Sequence, residues 1–310
     1  MLDAKDTGIN RAAEILRDGG LVAFPTETVY GLGADATNDK AVARIFQAKG
    51  RPSFNPLIVH VATLQIARQI AVFDDIAMRL ATTFWPGPLT LVLALRPNAN
   101  LSSLVTAGLP SIGIRLPEHP VAQQLLATFG GPIAAPSANP SGKISPTTAA
   151  HVAKGLSGRI DAILDAGPCN VGLESTIIGF EGAPTLLRAG GLPTEAIEAC
   201  LGFPLATHSP ADTPSAPGQL ASHYAPTAPL RLNAKTKHTD ELKLGFGPDG
   251  DADLNLSPSG DLVEAAANLF HHLHELDARN ATAIAVAPIP QKGLGVAIND
   301  RLKRAAAPRP

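Results

Sequence analysis

What this chain has little of already removes several kinds of protein. Aromatic residues fill only 4% of its 310 positions, with a single Trp, so a surface that stacks successive nucleobases is not expected. Surplus charge is missing too: 25 basic against 27 acidic side chains leave a formal net charge of -2. A general nucleic-acid coat or a polybasic membrane binder needs a positive excess, although a local basic pocket stays open. Cysteine occurs only as Cys169 and Cys200, in no CxxC or Cys/His spacing. That rules out a disulfide framework and fits a reducing, cytoplasmic compartment. The cleanest apolar stretch, 89–95 interrupted by Thr90, is about a third of a membrane span, so no membrane association is expected. Residues 1–6 carry acids and no apolar segment, which does not read as a secretory signal.

Gly and Pro are abundant, 28 of each, about 18% together against about 12% in average usage. With 45% hydrophobic residues, this implies many tight strand-to-loop transitions around a real core rather than disorder. The length suggests two domains. Periodicity and punctuation predict helices at 9–18, 39–48, 63–71, 75–85, 120–129, 147–156 and 194–201. Strands are predicted at 21–24, 57–61, 89–95, 111–116, 133–136, 162–165, 175–180 and 185–188. From 203 to 229 the texture changes to prolines spaced by Ser, Thr and Ala, a semi-extended linker. Beyond it, strands near 229–233, 242–246 and 282–287 and helices at 261–279 and 294–306 predict a smaller α/β unit. Residues 308–310 read as a frayed tail.

Polar clusters fall at the predicted strand ends, where open α/β sheets place their ligands. Pro25-Thr26-Glu27-Thr28-Val29-Tyr30-Gly31-Leu32-Gly33 follows the first strand. Each Thr alone is turn chemistry; together the hydroxyls and the carboxylate read as a pocket wall. Lys49-Gly50-Arg51-Pro52-Ser53-Phe54-Asn55-Pro56 leads into the strand that carries His60. Lys49 at a helix end is ordinary dipole chemistry, but Arg51 and Asn55 are trapped between glycine and prolines that fix their direction. Two cations this close suit a triphosphate, Lys as a point charge and Arg as a fork. His60, among apolar neighbours, reads first as a core histidine. Arg115 lies in an apolar strand opened by Ser111 and needs an anion, either an internal Asp or Glu or a ligand carboxylate.

Further on, Ser137-Ala138-Asn139 precedes Ser145-Pro146, which reads as the cap and first turn of the helix at 147–156. A helix N-terminus in a Ser- and Gly-rich loop suits a phosphate, though no Walker A string is present. Glu174-Ser175-Thr176 opens a strand and Arg188-Ala189-Gly190-Gly191 closes one. His271, His272 and His274 invite a metal reading, but only Glu275 stands near them, so a solvated helix face is expected. No GxSxG or HExxH occurs, and no GxGxxG opens a helix. Spacing alone therefore gives a cytoplasmic α/β enzyme that binds a phosphorylated ligand and a carboxylate.

In their order and separations, the strings from Pro25 to Gly33, Lys49-Gly50-Arg51-Pro52 with Asn55-Pro56-Leu57, Ser137-Ala138-Asn139 and Ser175-Thr176 resemble the YrdC-like family. The linker string Ala216-Pro217-Gly218-Gln219-Leu220-Ala221-Ser222-His223-Tyr224-Ala225-Pro226 is similar to the interdomain segment of that family's long, two-domain form. The resemblance implies a twisted mixed sheet with flanking helices over 1–203, a linker at 204–228 that folds over the active site, and a Rossmann-like α/β domain over 229–310. It implies synthesis of L-threonylcarbamoyl-AMP from L-threonine, bicarbonate and ATP, with release of pyrophosphate and with Mg2+ accompanying the ATP. A separate tRNA threonylcarbamoyl transferase would consume the product, and weak direct tRNA binding is compatible.

Matching positions assign Arg51, Asn55, Ser111, Ser137, Asn139, Ser145 and Arg188 to ATP, with Lys49 alongside and His223 or Tyr224 brought near by the linker. Thr28, Tyr30, His60, Arg115, Ala135 and Ser175 fall to threonine, Arg115 to its carboxylate. No protein side chain is assigned to a metal. His60 and Glu27 are the candidates for a general base. Many relatives carry a basic or aromatic stretch where this chain has Gln219-Leu220-Ala221-Ser222. Two rivals come from other classes. A non-catalytic tRNA- or double-stranded-RNA-binding protein of the same fold is disfavoured by the net charge. A carbamoyltransferase module needs zinc-finger and acylphosphatase-like domains for which this chain has no room.

Overall fold

The computed structural model describes residues 1–207, 218 and 222–308. Most of the Pro-rich linker string, including Pro210, Pro214 and Pro217, and the last two residues of the tail lie outside the described residues. The main sheet is built, in chain order, from β1 (Leu2–Asp3), β2 (Val22–Phe24), β3 (Gly31–Asp35), β4 (Ile58–His60), β5 (Leu89–Ala94), β6 (Ser111–Arg115), β7 (Ile133–Ala134), β8 (Ala162–Asp165), β9 (Thr176–Gly179), β10 (Thr185–Arg188) and β11 (Ala206–Thr207). Their spatial order is β1-β8-β2-β3-β7-β4-β6-β5-β9-β10-β11. Parallel pairs such as β4–β6 and β5–β9 alternate with antiparallel pairs such as β2–β3 and β5–β6. The mixed sheet with flanking helices is the expected class.

Alternation along short strands gives this sheet two apolar faces, because successive side chains point to opposite sides. Ala23, Val59, Ile112, Ile114 and Ile163 join Val42, Ile45 and Leu80 in one cluster. Val22, Phe24, Ile133 and Leu164 turn to the other face and pack with Ile9, Leu16, Leu125 and Leu126. Each fully buried Leu or Ile contributes about 1.5–3 kcal/mol.

The structure differs from the sequence reading where signals are short. Residues 31–35, expected as loop, are β3, with Phe24 opposite Gly31 and Val22 opposite Gly33. Its two glycines hide the alternation, leaving only Leu32 and Ala34 to signal a strand. β11 lies inside the segment read as linker and extends the main sheet beside β10. The helix expected from 147 spans Ala149–Leu156, capped by Thr148, which accepts from the His151 N–H, not by Ser145. Ser145 spends its hydroxyl on Glu174 at 2.5 Å, and the Pro146 carbonyl accepts from Tyr30 N at 2.9 Å, so the chain there is held extended.

The second sheet is parallel throughout, in the order β12 (Leu230–Arg231), β15 (Ala283–Val286), β13 (Glu241–Gly245), β14 (Leu254–Asn255). Helices Leu262–Ala278 and Leu294–Ala306 pack on it. Their cluster, around Leu269, Phe270, Leu273 and Leu302, also takes in Val29, Ile144, Leu173 and Tyr224. Part of the seam between the units is therefore apolar. Of the histidines expected on a solvated face, His271 is exposed, whereas His274 turns to the seam and stacks on His151 with ring centres 3.9 Å apart. A helix face without a visible partner in sequence had one in space.

Candidate active site

β4 and β6 run parallel with Ile58 opposite Gly113 and His60 opposite Arg115. Val59 and Ile114 go to the core, so Ile58, His60 and Arg115 share the other face. Around that face the loops after β2 and β7, the start of β9, the end of β10 and the linker residues Gly218, His223 and Tyr224 close a cavity. It leaves about 50 Å3 for the centre of a water molecule. Two turns aim its side chains. Gly50 ends helix Asp39–Lys49 in the left-handed conformation, φ 61°, which turns Arg51 toward the cavity. Gly190 lies so close to β9 that a Cβ there would sit 2.3 Å from the Glu174 carbonyl oxygen. That contact is what lets the Arg188 end of β10 close on Ser175.

At one end, Arg115 Nη1 donates to Thr28 Oγ1 at 2.9 Å and Nε to the Gly87 carbonyl at 3.3 Å. Its Nη2 stands 2.6 Å from Glu27 Oε1. This is a charge contact without hydrogen-bond alignment, because Nη2 and both Glu27 oxygens have no hydrogen-bond partner. The anion that a buried Arg115 requires is thus the internal Glu27, with donor capacity left over. Thr26 Oγ1 donates to the Val29 carbonyl at 2.7 Å and accepts from Thr28 N at 3.2 Å, locking the loop. His60 is buried, its Nδ1 has no partner, and burial with the nearby Arg115 charge pulls its pKa to about 3. It is a neutral imidazole and a feeble base.

At the other end, Arg51 donates from Nε to the Asn55 carbonyl at 3.1 Å and from Nη2 to Asn55 Oδ1 at 2.7 Å and the Pro56 carbonyl at 2.8 Å. Burial lowers its pKa to about 10. Arg188 donates from Nη2 to the Ser175 carbonyl at 2.9 Å and its hydroxyl at 3.1 Å, and Ser175 Oγ bonds Thr90 Oγ1 at 2.7 Å. Tyr224, at φ 63°, stacks on His223 with ring centres 4.2 Å apart. Burial brings His223 down to about 3 and raises the Tyr224 phenol above its ordinary range.

Of the residues singled out in sequence, Thr28, Arg51, His60, Arg115, Ala135, Ser137, Ser175, Arg188, His223 and Tyr224 line one cavity. Lys49, Asn55, Tyr30, Ser111, Asn139 and Ser145 lie outside its lining. Lys49 reaches under the loop to the carbonyls of Ser137 and Asn139, and burial, then Arg51, hold its pKa well below the ordinary lysine range. Asn55 orients Arg51. Tyr30 spends its hydroxyl on the Gly167 carbonyl at 2.7 Å. Ser111 pairs with Ala94 at the far end of β6, and Asn139 ties its own loop through Pro140 and Lys143. Glu27 also lies outside the lining, with its Oε1 2.6 Å from Arg115 Nη2.

Thr26 lines the cavity, as the pocket-wall reading of its loop expects; sequence reasoning gave no role to Gly218 or Glu174 in the lining, nor to Arg301 behind it. The Glu174-Ser175-Thr176 string carried a signal for the second; Arg301 had none. Glu174, the carboxylate of the lining, is engaged by the Arg301 guanidinium, and Glu27, outside the lining, faces that of Arg115. Among the described residues no set of three or more His, Cys, Asp or Glu side chains suits a metal ion. The donor set fits anions, and a divalent cation only as one carried in on a ligand's phosphates.

A mixed α/β sheet whose open face gathers three arginines, serine and threonine hydroxyls and a capping Tyr-His pair defines a binder of anionic small molecules. Comparison with known proteins narrows this. Residues 14–190 match the Sua5/YciO/YrdC family, described as "Telomere recombination", and residues 192–307 match the family "Threonylcarbamoyl-AMP synthase, C-terminal domain". The threonylcarbamoyl-AMP synthase of Bacillus subtilis is 43% identical over 99% of this chain and 95% of its own length. That of Pyrococcus abyssi is 42% identical over 97% and 94%. The crystal structure of P. abyssi Sua5 complexed with L-threonine superposes with a TM-score of 0.91 at 40% identity, covering 97% of this chain and 95% of that one. The chain belongs to the Sua5/YrdC family of enzymes, in its two-domain threonylcarbamoyl-AMP synthase form.

Proposed function

We propose that the protein makes L-threonylcarbamoyl-AMP from L-threonine, bicarbonate and ATP and releases pyrophosphate. The reading makes this the first step of tRNA threonylcarbamoyladenosine modification in the cytoplasm, with a separate tRNA threonylcarbamoyl transferase taking the product. The observation that carries it is Arg115 in one cavity with Arg51 and Arg188, keeping unspent donor capacity at Nη2. The likeness to a relative crystallised with L-threonine supports the same assignment. Arg115 and Thr28 take the threonine carboxylate, with His60 and Ser175 beside it. Arg51 and Arg188 take the phosphates, and Mg2+ arrives as part of the MgATP substrate.

The chemistry is then adenylation by positioning. The threonine amine and bicarbonate condense to a carbamate with loss of water. A carbamate oxygen attacks the α-phosphorus as the bond to pyrophosphate breaks. Aligned reactants supply roughly 7–11 kcal/mol of the barrier, and fixed guanidiniums offset the charge on the leaving group. With His60 held near 3 and Glu27 paired to Arg115, the threonine amine reacts as its own free base. Turnover at low threonine should therefore rise with pH through the α-amino range, with no enzyme group breaking the profile between about pH 5 and 7. Tyr224 and His223 shield the labile carbamate from water.

Pyrophosphate release by the full-length protein, with MgATP and bicarbonate and with or without L-threonine, tests the reading. Release that needs both, with the adenylate identified by mass spectrometry, is the expected result. No release from folded, ATP-binding protein sinks it, and steeply salt-dependent tRNA binding without turnover would point to the RNA-binding alternative.

A further inference from the structure

A second cavity opens at the seam between the two units, and the proposed reaction gives it no task. Asn139 and Lys143 reach it from the loop after β7, His151 and Lys154 from helix Ala149–Leu156, and His274 and Asp277 from helix Leu262–Ala278. It leaves about 160 Å3 for the centre of a water molecule, against about 50 Å3 in the first cavity. None of these six residues lines the first.

Charge and unused hydrogen-bonding groups set what this cavity can hold. Lys143 and Lys154 are exposed, and neither ammonium has a hydrogen-bond or ion-pair partner among the described residues. The carboxylate in the lining, Asp277, is already taken up by the linker's exit. Its Oδ1 accepts from Thr227 N at 2.6 Å and Ala228 N at 3.1 Å, and its Oδ2 from Thr227 Oγ1 at 3.2 Å. His151 Nδ1 accepts from Thr147 N at 3.3 Å, so the proton of this neutral ring sits on Nε2. That N–H has no partner among the described residues, and the stacked His274 ring holds it in place. Asn139 is 4% exposed and donates from Nδ2 to the Pro140 and Lys143 carbonyls at 2.9 and 2.8 Å, but its Oδ1 has no partner. A buried amide oxygen left without a donor carries a desolvation cost that a ligand hydroxyl removes.

We propose that this cavity is a second anion site, which binds inorganic phosphate or pyrophosphate at the boundary of the two units. Lys143 and Lys154 supply two point charges and His151 one N–H, all donors to phosphate oxygens. Asn139 Oδ1 accepts the hydroxyl that a hydrogenphosphate keeps at neutral pH. Two free ammoniums against one carboxylate held by backbone N–H groups leave the lining positive, in a chain whose formal net charge is -2. Sulfate meets the same charges but carries no proton at neutral pH, so it leaves Asn139 unpartnered. The site stands whatever reaction the first cavity performs.

The test follows the histidine ring resonances of the full-length protein by NMR while inorganic phosphate, pyrophosphate or sulfate is added at neutral pH. The resonances of His151 and His274 are assigned with H151N and H274N. In wild type both rings are expected to shift and saturate with phosphate and with pyrophosphate, and the tighter of the two is the natural occupant. K143M/K154M should bind roughly tenfold more weakly or worse. Both lysines are exposed, so that variant changes charge and not the core. Sulfate should bind more weakly than phosphate. No saturating shift of these rings in wild type overturns the proposal. So does an unchanged affinity in K143M/K154M, which would mean that the rings report an anion bound elsewhere, in the first cavity included. Sulfate as tight as phosphate overturns it as well, because the Asn139 contact would then be absent. Wild type that lacks threonine-dependent pyrophosphate release would sink the reaction reading and leave this titration standing.

Discussion

Two buried cations, Arg115 in the main sheet and Lys243 in the second, are equally hidden, at 3% and 2% exposure. They differ in what they have left to give. Lys243 Nζ donates to the Lys235 carbonyl at 2.8 Å, to Asp249 at 2.7 Å and to Asp251, which uses all three protons of an ammonium. Arg115 meets Glu27 without alignment, leaving Nη2 unspent, and His60 Nδ1 across from it has no partner. A closed shell of acceptors marks a charge that serves the fold. Spare donors facing a cavity mark one that waits for a ligand. Burial alone does not tell them apart.

Removing Arg115 sharpens that contrast most. Arg115→Ala should raise the KM for threonine by about thirtyfold or more, the scale of losing one partner of a buried charged contact, while the KM for ATP moves little. An equal rise in both would break the division of the cavity into a carboxylate end and a phosphate end. Lys243→Met should do the reverse. It strands Asp249 and Asp251, although Asp251 is 42% exposed and water relieves part of the cost. A loss of about 1–3 kcal/mol is expected, read as a fall in Tm of roughly 2–4 °C per kcal/mol, with kcat/KM of the folded protein unchanged. Lost activity at an unchanged Tm would show that the closed shell serves the site after all.

The smallest effect is expected at the seam, where His151 and His274 are neither spare nor saturated. Burial, with His274, His271 and Lys154 adding repulsion, brings His151 down to about 3. Burial also brings His274 to about 4, with Lys154 and His271 lowering it and the Ser145 carbonyl and Asp277 opposing. An imidazole in the unfolded chain protonates near about pH 6.5, so the unfolded state takes up a proton that the folded state refuses. The stability these rings contribute is complete above that pH and is lost as pH falls toward 4. Tm measured from about pH 7.5 down to 5 should decline, and His151→Asn should flatten the decline. An identical slope in the variant would remove the seam from the explanation.

Much of this was legible before any tertiary contact was known, and the pattern of what was missed is informative. Arg51, Arg115, Arg188 and Ser175 stood out because glycine and proline fix chain direction locally and because an arginine in an apolar strand demands an anion. Lys49, Asn55 and Tyr30 carried the same kind of signal, yet each is spent on holding a loop or a neighbour. A motif string does not distinguish a residue that touches the cavity from one that props up its neighbour. β3 escaped because two of its five residues are glycine. The helix cap moved from Ser145 to Thr148 because Ser145 found a buried carboxylate.

The amino-acid sequence by itself determined the two-unit α/β plan, the strand ends that carry chemistry and the cationic character of the site. Alternation, capping and Gly/Pro punctuation act within a few residues, and spacing records them. Only the tertiary structure decided that Glu27 is the anion facing Arg115, that His274 turns to the seam, and that Arg301 meets Glu174 across 127 positions of chain. Those choices follow from which surfaces pack together, and a buried charge takes whichever partner packing brings within reach.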